Sequence, residues 1–248
     1  QGLSLLNGGY MGRLLKYINE SRSVTITKDQ VRGLLKNEFS DAAKNLLKGE
    51  AIYRGSKSNY DYAVLDPSGV TRKSANTSNY YTLFINNHET WRQFPKRQII
   101  CSSDDQHARM YGNVYIVLPE NGAKIGVCPS RDIWISFNDV IENYSTEEHD
   151  IDTLEEFNGE LEDLGIPDDS YMKMRDKSER VEWEGRKSET VWDVMEDVLD
   201  PKKNGFTVTS IKNMELPYKR EVWTDARCLL IHSKLKETLD NMVQELYG

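Results

Sequence analysis

The sequence is poor in the residues most often recruited for metal and nucleophile chemistry, with four histidines and three cysteines in 248 residues. His88, His107, His149 and His232 are scattered without metal-ligand spacing. Gly-x-Ser-x-Gly, a phosphate-cradling glycine loop and His-Glu-x-x-His are all missing. These absences count against a triad hydrolase, a P-loop nucleotidase and a zinc peptidase. Cys101, Cys128 and Cys228 are odd in number, widely separated and set among apolar residues. Buried free thiols in a reducing compartment are expected, rather than a disulfide framework. No apolar run approaches the roughly 18 to 20 residues that cross a bilayer, and the opening residues lack a basic, then apolar, then small pattern. A soluble chain in the cytoplasm, without membrane contact, is the expectation. With 32 basic against 40 acidic residues the formal net charge is −8, which argues against a general nucleic-acid binder.

The sequence does have material for a core, with 38% hydrophobic residues beneath 29% charged ones. The charge is uneven: twelve acids and no Lys or Arg lie between Glu142 and Asp169. That stretch reads as a solvated insertion at about 139–187, whose Leu154, Phe157, Leu161 and Leu164 suffice for one docked helix. Asp150, Asp152, Glu155 and Glu156 lack the glycine-centred spacing of a calcium loop, and no metal is expected.

Apolar residues at three-and-four spacing predict one helix from Lys28 to Lys48, opened by the Thr27-x-x-Gln30 capping pattern and ended by Gly49. A helix near Tyr10 to Glu20 is also expected. From Ala51 the texture becomes short β-type runs: Ala51–Arg54, Gln98–Ser103, Asn113–Leu118, Lys124–Cys128, Ile133–Phe137, Phe206–Ile211, Glu221–Thr224 and Cys228–His232. Asn121-Gly122 signals a tight hairpin. Helices are expected at Asp104–Tyr111, Ser188–Leu199 and Lys234–Tyr247, with Ser56–Asn79 linker-like.

Three strand-associated features are able to carry chemistry. In Ala51-Ile52-Tyr53-Arg54-Gly55 an apolar strand ends in a guanidinium, suited to a diphosphate or carboxylate, followed by a glycine that lets a ligand approach. A surface arginine paired with one of the acids explains it as well. In Cys101-Ser102-Ser103-Asp104 a buried strand delivers two hydroxyls, of which Ser103 is placed to cap the next helix. In Lys219-Arg220-Glu221-Val222-Trp223 a glutamate opens a late apolar strand, where an ordinary edge charge is the commoner case.

Together, an early Arg, a Ser-Ser strand feeding Ala108-x-x-Tyr111-Gly112 and a late Glu resemble the Arg–Ser–Glu arrangement of the mono-ADP-ribosyltransferases. The stretch with Phe94-Pro95-Lys96-Arg97, Cys101-Ser102-Ser103 and Asp132-Ile133-Trp134 also looks like proteins of large tailed phages, and such phages encode these transferases. The resemblance implies an α+β fold with a split mixed β-sheet: a helical extension at 1–49 and a transferase-like domain at 50–248, with NAD as substrate in the cleft. It implies that Arg54 holds the dinucleotide phosphates, beside Tyr53, Gly55 and Tyr111 (or Tyr60), that Ser102 or Ser103 orients the catalytic acid, and that Glu221 is that acid. A carboxylate fixed by the ribose stabilises the oxocarbenium-like state formed as nicotinamide leaves. The implied partner is a host protein or nucleic-acid acceptor. Lys219 departs from the Glu or Gln that arginine-modifying members carry two residues before the acid. Rival readings are a non-catalytic virion or interaction component and an NAD glycohydrolase.

Overall fold

A computed structural model describes residues 22–69, 72–73, 77–144, 151–184 and 188–248. The expected helix near Tyr10 to Glu20 lies outside them. The architecture is α+β. Nine strands form one sheet: β1 (Arg22–Thr25), β2 (Ile52–Ser56), β3 (Tyr62–Asp66), β4 (Ile99–Ser102), β5 (Asn113–Pro119), β6 (Lys124–Val127), β7 (Thr207–Ser210), β8 (Glu221–Thr224) and β9 (Cys228–His232). Their spatial order is β1-β3-β9-β5-β2-β4-β8-β6-β7. Every strand pairing among the described residues is antiparallel, which corrects the expected mixed sheet. The halves meet at β2 and β4, joined by the single register pair Tyr53↔Ser102. Residues 22–47 are built into the sheet and its core: β1 pairs with β3, and helices α1 (Lys28–Lys36) and α2 (Ser40–Leu47) pack there.

Two apolar clusters hold the molecule. One combines β3, β5 and β9 with α1, α2 and the C-terminal helix α9 (Lys236–Tyr247); its members include Leu35, Phe39, Val117, Leu230 and Val243. The other gathers Tyr81, Phe84, Trp91, Phe137, Phe157 and Trp223. Its helices are α3 (Tyr80–Asn87), α5 (Asn138–Ile141), α6 (Leu154–Asp163), α7 (Tyr171–Ser178) and α8 (Val191–Val198). Strand alternation places Val222 in the first cluster and Trp223 in the second, so β8 runs between the two. The acidic α6 docks, burying Leu154, Phe157 and Leu161 behind a Thr153/Glu156 capping box, but the expectation of a solvated 139–187 insertion with one docked helix is corrected, because Ile141, Ile151, Ile166, Met174 and Trp183 are buried in the same cluster. The three cysteines are buried and free. Among the described residues no helix is long and apolar enough to cross a membrane.

Four local expectations are corrected. The Lys28–Lys48 helix breaks at Asn37, whose N–H and side chain turn back to Leu34 O and Gly33 O while Phe39 is driven into the core. The linker-like 56–79 region contains β3, whose Ala63 and Leu65 are buried. Ile133–Phe137 is opened by a 3-10 turn (Ile133–Ile135), because Asp132 accepts the Trp134 N–H and the Ser136 hydroxyl closes on Asp132 O at 2.7 Å. Asn121-Gly122 does turn the chain, with Gly122 at φ 81, yet β5 and β6 pair with other strands. Asn121 serves α2 instead: its Oδ1 accepts the Asp41 N–H at 2.9 Å, and its Nδ2 donates to Asn37 O at 2.6 Å. It thus supplies from a distant turn the cap that Phe39 lacks.

Asn121→Ala is expected to lower stability by about 1 to 2 kcal/mol, the usual range for a lost cap. Urea unfolding should show a lower midpoint at unchanged slope, and an unshifted midpoint would remove the remote-cap role.

Candidate functional site

Opposed residues of an antiparallel ladder share a face, and successive ones alternate. Ser102 stands opposite Tyr53 on one side and Glu221 on the other, so these three side chains project together from adjacent central strands. Arg54, one step beyond Tyr53, projects from the reverse face. There its guanidinium acts electrostatically on the buried Cys101, whose thiol burial pushes up to about 12, and its Nη1 donates to Ile100 O at 2.6 Å. It fills the place where the β2/β4 ladder lapses. The structure therefore brings Ser102 and Glu221 together and sets Arg54 behind them.

Ser102 is buried and its Oγ accepts the Asp104 N–H at 3.0 Å. Ser103 ties β4 to the chain before β8, its hydroxyl donating to Pro217 O at 2.8 Å and accepting the Arg220 N–H at 2.9 Å. The cap of helix α4 (Asp105–Arg109) is Asp104, which accepts the Gln106 N–H, so the capping role expected of Ser103 is corrected. A Cβ on Gly55 would lie 1.9 Å from Ala108 O and 2.7 Å from the Tyr111 Cβ. The missing side chain lets α4 sit against β2, and helix rather than ligand takes that space. Tyr111 meets His107 edge to face at 5.6 Å. Tyr60 packs on Tyr115 at 4.7 Å. Tyr53 is half-buried, and burial, then the charge of Asp105, raises its hydroxyl above the ordinary value.

The most highly charged interior point is one that strand spacing does not announce. Arg97 is 3% exposed and Glu221 7%. Arg97 Nη2 donates to Glu221 Oε1 at 2.6 Å, and the Ile133 N–H donates to Oε2 at 3.3 Å. Burial works against the charge on Arg97, but Glu221, with Tyr81 and Cys128, more than offsets it and holds the guanidinium above its ordinary value. The cation lies over the Tyr81 ring, 5.4 Å from its centroid, and its Nε and Nη1 have no protein hydrogen-bond partner. The Cys128 thiol reaches Glu221 Oε1 at 3.9 Å, and burial followed by that carboxylate raises it well above the usual thiol range. Asp132, next to the Ile133 amide on Glu221, is also raised, by burial first and by Glu221 second; Trp134 N–H, Arg97 and His107 pull the other way.

No known family, curated protein or solved structure matches the chain.

The chemistry of the site is read from its own geometry: a buried carboxylate held by a cation and an amide, a hydroxyl beside it, and a second, partly exposed acid at the edge. Among the described residues no group of three or more metal-ligating side chains assembles. A surface pocket of about 540 Å³ near Glu89, Arg92, Asp200 and Lys202 includes none of these residues. Sequence reasoning passed over Arg97 and Asp132 as site residues. For Asp132 the available signal was an acid directly before an apolar Ile-Trp pair, a capping pattern.

A carboxyl whose folded value lies above its ordinary 3.8 keeps a proton the unfolded chain has lost, so its contribution to stability falls as pH rises through that window. Asp132→Asn retains an acceptor for the Trp134 N–H. It is expected to be more stable than the parent near neutral pH, with the gap closing as pH falls toward the ordinary carboxylate value. Denaturation at several pH values reads this directly, and a variant weaker than the parent at neutral pH would contradict it.

Proposed function

We propose that this protein is an NAD-dependent mono-ADP-ribosyltransferase, with Glu221 as the acid and Ser102 as its neighbour. The observation that carries the reading is the register Tyr53↔Ser102↔Glu221 at the centre of the sheet, beside the lapse that Arg54 fills. A hydroxyl and a carboxylate in direct cross-strand opposition are the minimum needed to hold a ribose and favour positive charge on its anomeric carbon. The glycosidic bond breaks with its electron pair leaving on nicotinamide, and an acceptor nucleophile takes the sugar and loses a proton. Arg54 contributes as a positioning residue through the Ile100 carbonyl it grips. Of the two tyrosines, Tyr53 packs partly against the first apolar cluster, and this reading sets Tyr111 against NAD; Gly55, covered by α4, is dropped from the set.

A second reading, a non-catalytic interaction protein, is favoured by a specific observation: both oxygens of Glu221 are already engaged, by Arg97 and by the Ile133 amide. The two diverge when the protein is incubated with labelled NAD, with and without host lysate, beside Glu221→Gln and Ser102→Ala. The transferase reading expects label on macromolecules, reduced roughly 100-fold or more in Glu221→Gln and less in Ser102→Ala. Free ADP-ribose alone would identify a glycohydrolase. No nicotinamide release, with no thermal shift on adding NAD, would leave the interaction protein.

A further inference from the structure

The chain leading into β8 sets basic side chains beside an exposed aromatic ring. Tyr218 is 66% exposed, with Lys219 Nζ 5.2 Å from its ring centroid. Lys219 has φ 58, in the left-handed region that a bulky side chain adopts only under surrounding constraint. The constraint is visible: the Ser103 hydroxyl holds Pro217 O on one side of this turn and the Arg220 N–H on the other. Arg131 joins the same neighbourhood, because Ser130 O accepts the Glu221 N–H at 3.2 Å. Among the described residues none of Arg131, Lys219 and Arg220 forms an ion pair with a carboxylate, in a chain with 40 acids. Three cations without a carboxylate partner and an exposed aromatic ring, with Lys219 over one of its faces, border the Glu221 strand.

We propose that this turn binds single-stranded nucleic acid, with Tyr218 as a platform for a base and Lys219, Arg220 and Arg131 along the phosphates. Stacking on an exposed ring beside cations is the mode by which single strands are held without reading sequence. An acidic peptide would engage the cations alone and leave the exposed ring unused. That the bound strand is also the acceptor of ADP-ribose rests on the transferase reading; the binding does not.

The test is fluorescence anisotropy of a labelled single-stranded RNA or DNA of about a dozen nucleotides, a length that fills one such site, with the intact chain over a range of salt. The expected result is binding that weakens steeply with salt. The Arg131→Glu/Lys219→Glu double variant should abolish it and Tyr218→Ala should weaken it roughly ten-fold, about the worth of one stacked base. All variants should keep the parent's circular dichroism. Absence of binding, binding indifferent to charge reversal, or equal competition by an acidic peptide of matched charge overturns the inference. NAD turnover measured in parallel separates the two proposals. Turnover without oligonucleotide binding removes this one alone, and binding without NAD cleavage removes the transferase alone while upholding the surface.

Discussion

A guanidinium buried against a carboxylate is the constraint on which the centre of this protein depends. Arg97 and Glu221 are both removed from water, and neither charge is tolerable there without the other. Their contact fixes the start of β8 relative to the chain that enters β4. It also draws in the Ile133 amide, and with it the 3-10 turn that carries Asp132. Two Arg97 nitrogens lack a protein partner, so the pair is not a large net source of stability. Its value lies in permitting one arrangement, because a shift of either strand would strand a charge in an apolar interior.

That arrangement sits where the sheet is weakest. Between β2 and β4 the ladder shrinks to one pair, and Arg54 bridges the two strands from behind through the Ile100 carbonyl, while Arg97 grips Glu221 on the neighbouring β8. Ser102 and Glu221 stand opposite each other at this place, flanked by the Ser103-tied turn that exposes Tyr218 and Lys219. Placing a carboxylate, a hydroxyl and a basic approach together is a consequence of strand order, and it is the physical basis for reading the region as functional.

Much of this was legible in the sequence and some was not, for identifiable reasons. β4, β8 and β9 are short apolar runs between polar turns, and their alternation marks them. The docked acidic helix was legible because its capping box and apolar spacing are local. Tertiary competition hid the rest. Phe39 interrupts a good helical pattern because the core claims it. Asn121-Gly122 has the chemistry of a hairpin, yet Asn121 is spent on another segment's helix. Arg97 was missed because its partner is 124 residues away, and no spacing rule links a lone arginine before one strand to a glutamate opening another. Gly55, read as room for a ligand, is room for a helix; the sequence shows that a side chain is missing there, not what fills the gap.

The central claim, that Arg97 and Glu221 act as one unit, is most directly tested by a double-mutant cycle on unfolding free energy with Arg97→Met, Glu221→Leu and the pair together. A buried pair broken from one side costs about 3 to 5 kcal/mol, whereas replacing both charges by apolar groups is often close to neutral. The account predicts two badly destabilised single variants and a double variant more stable than either. Additive losses, with the double variant as weak as the sum of the singles, would show that the two side chains are independent and contradict it.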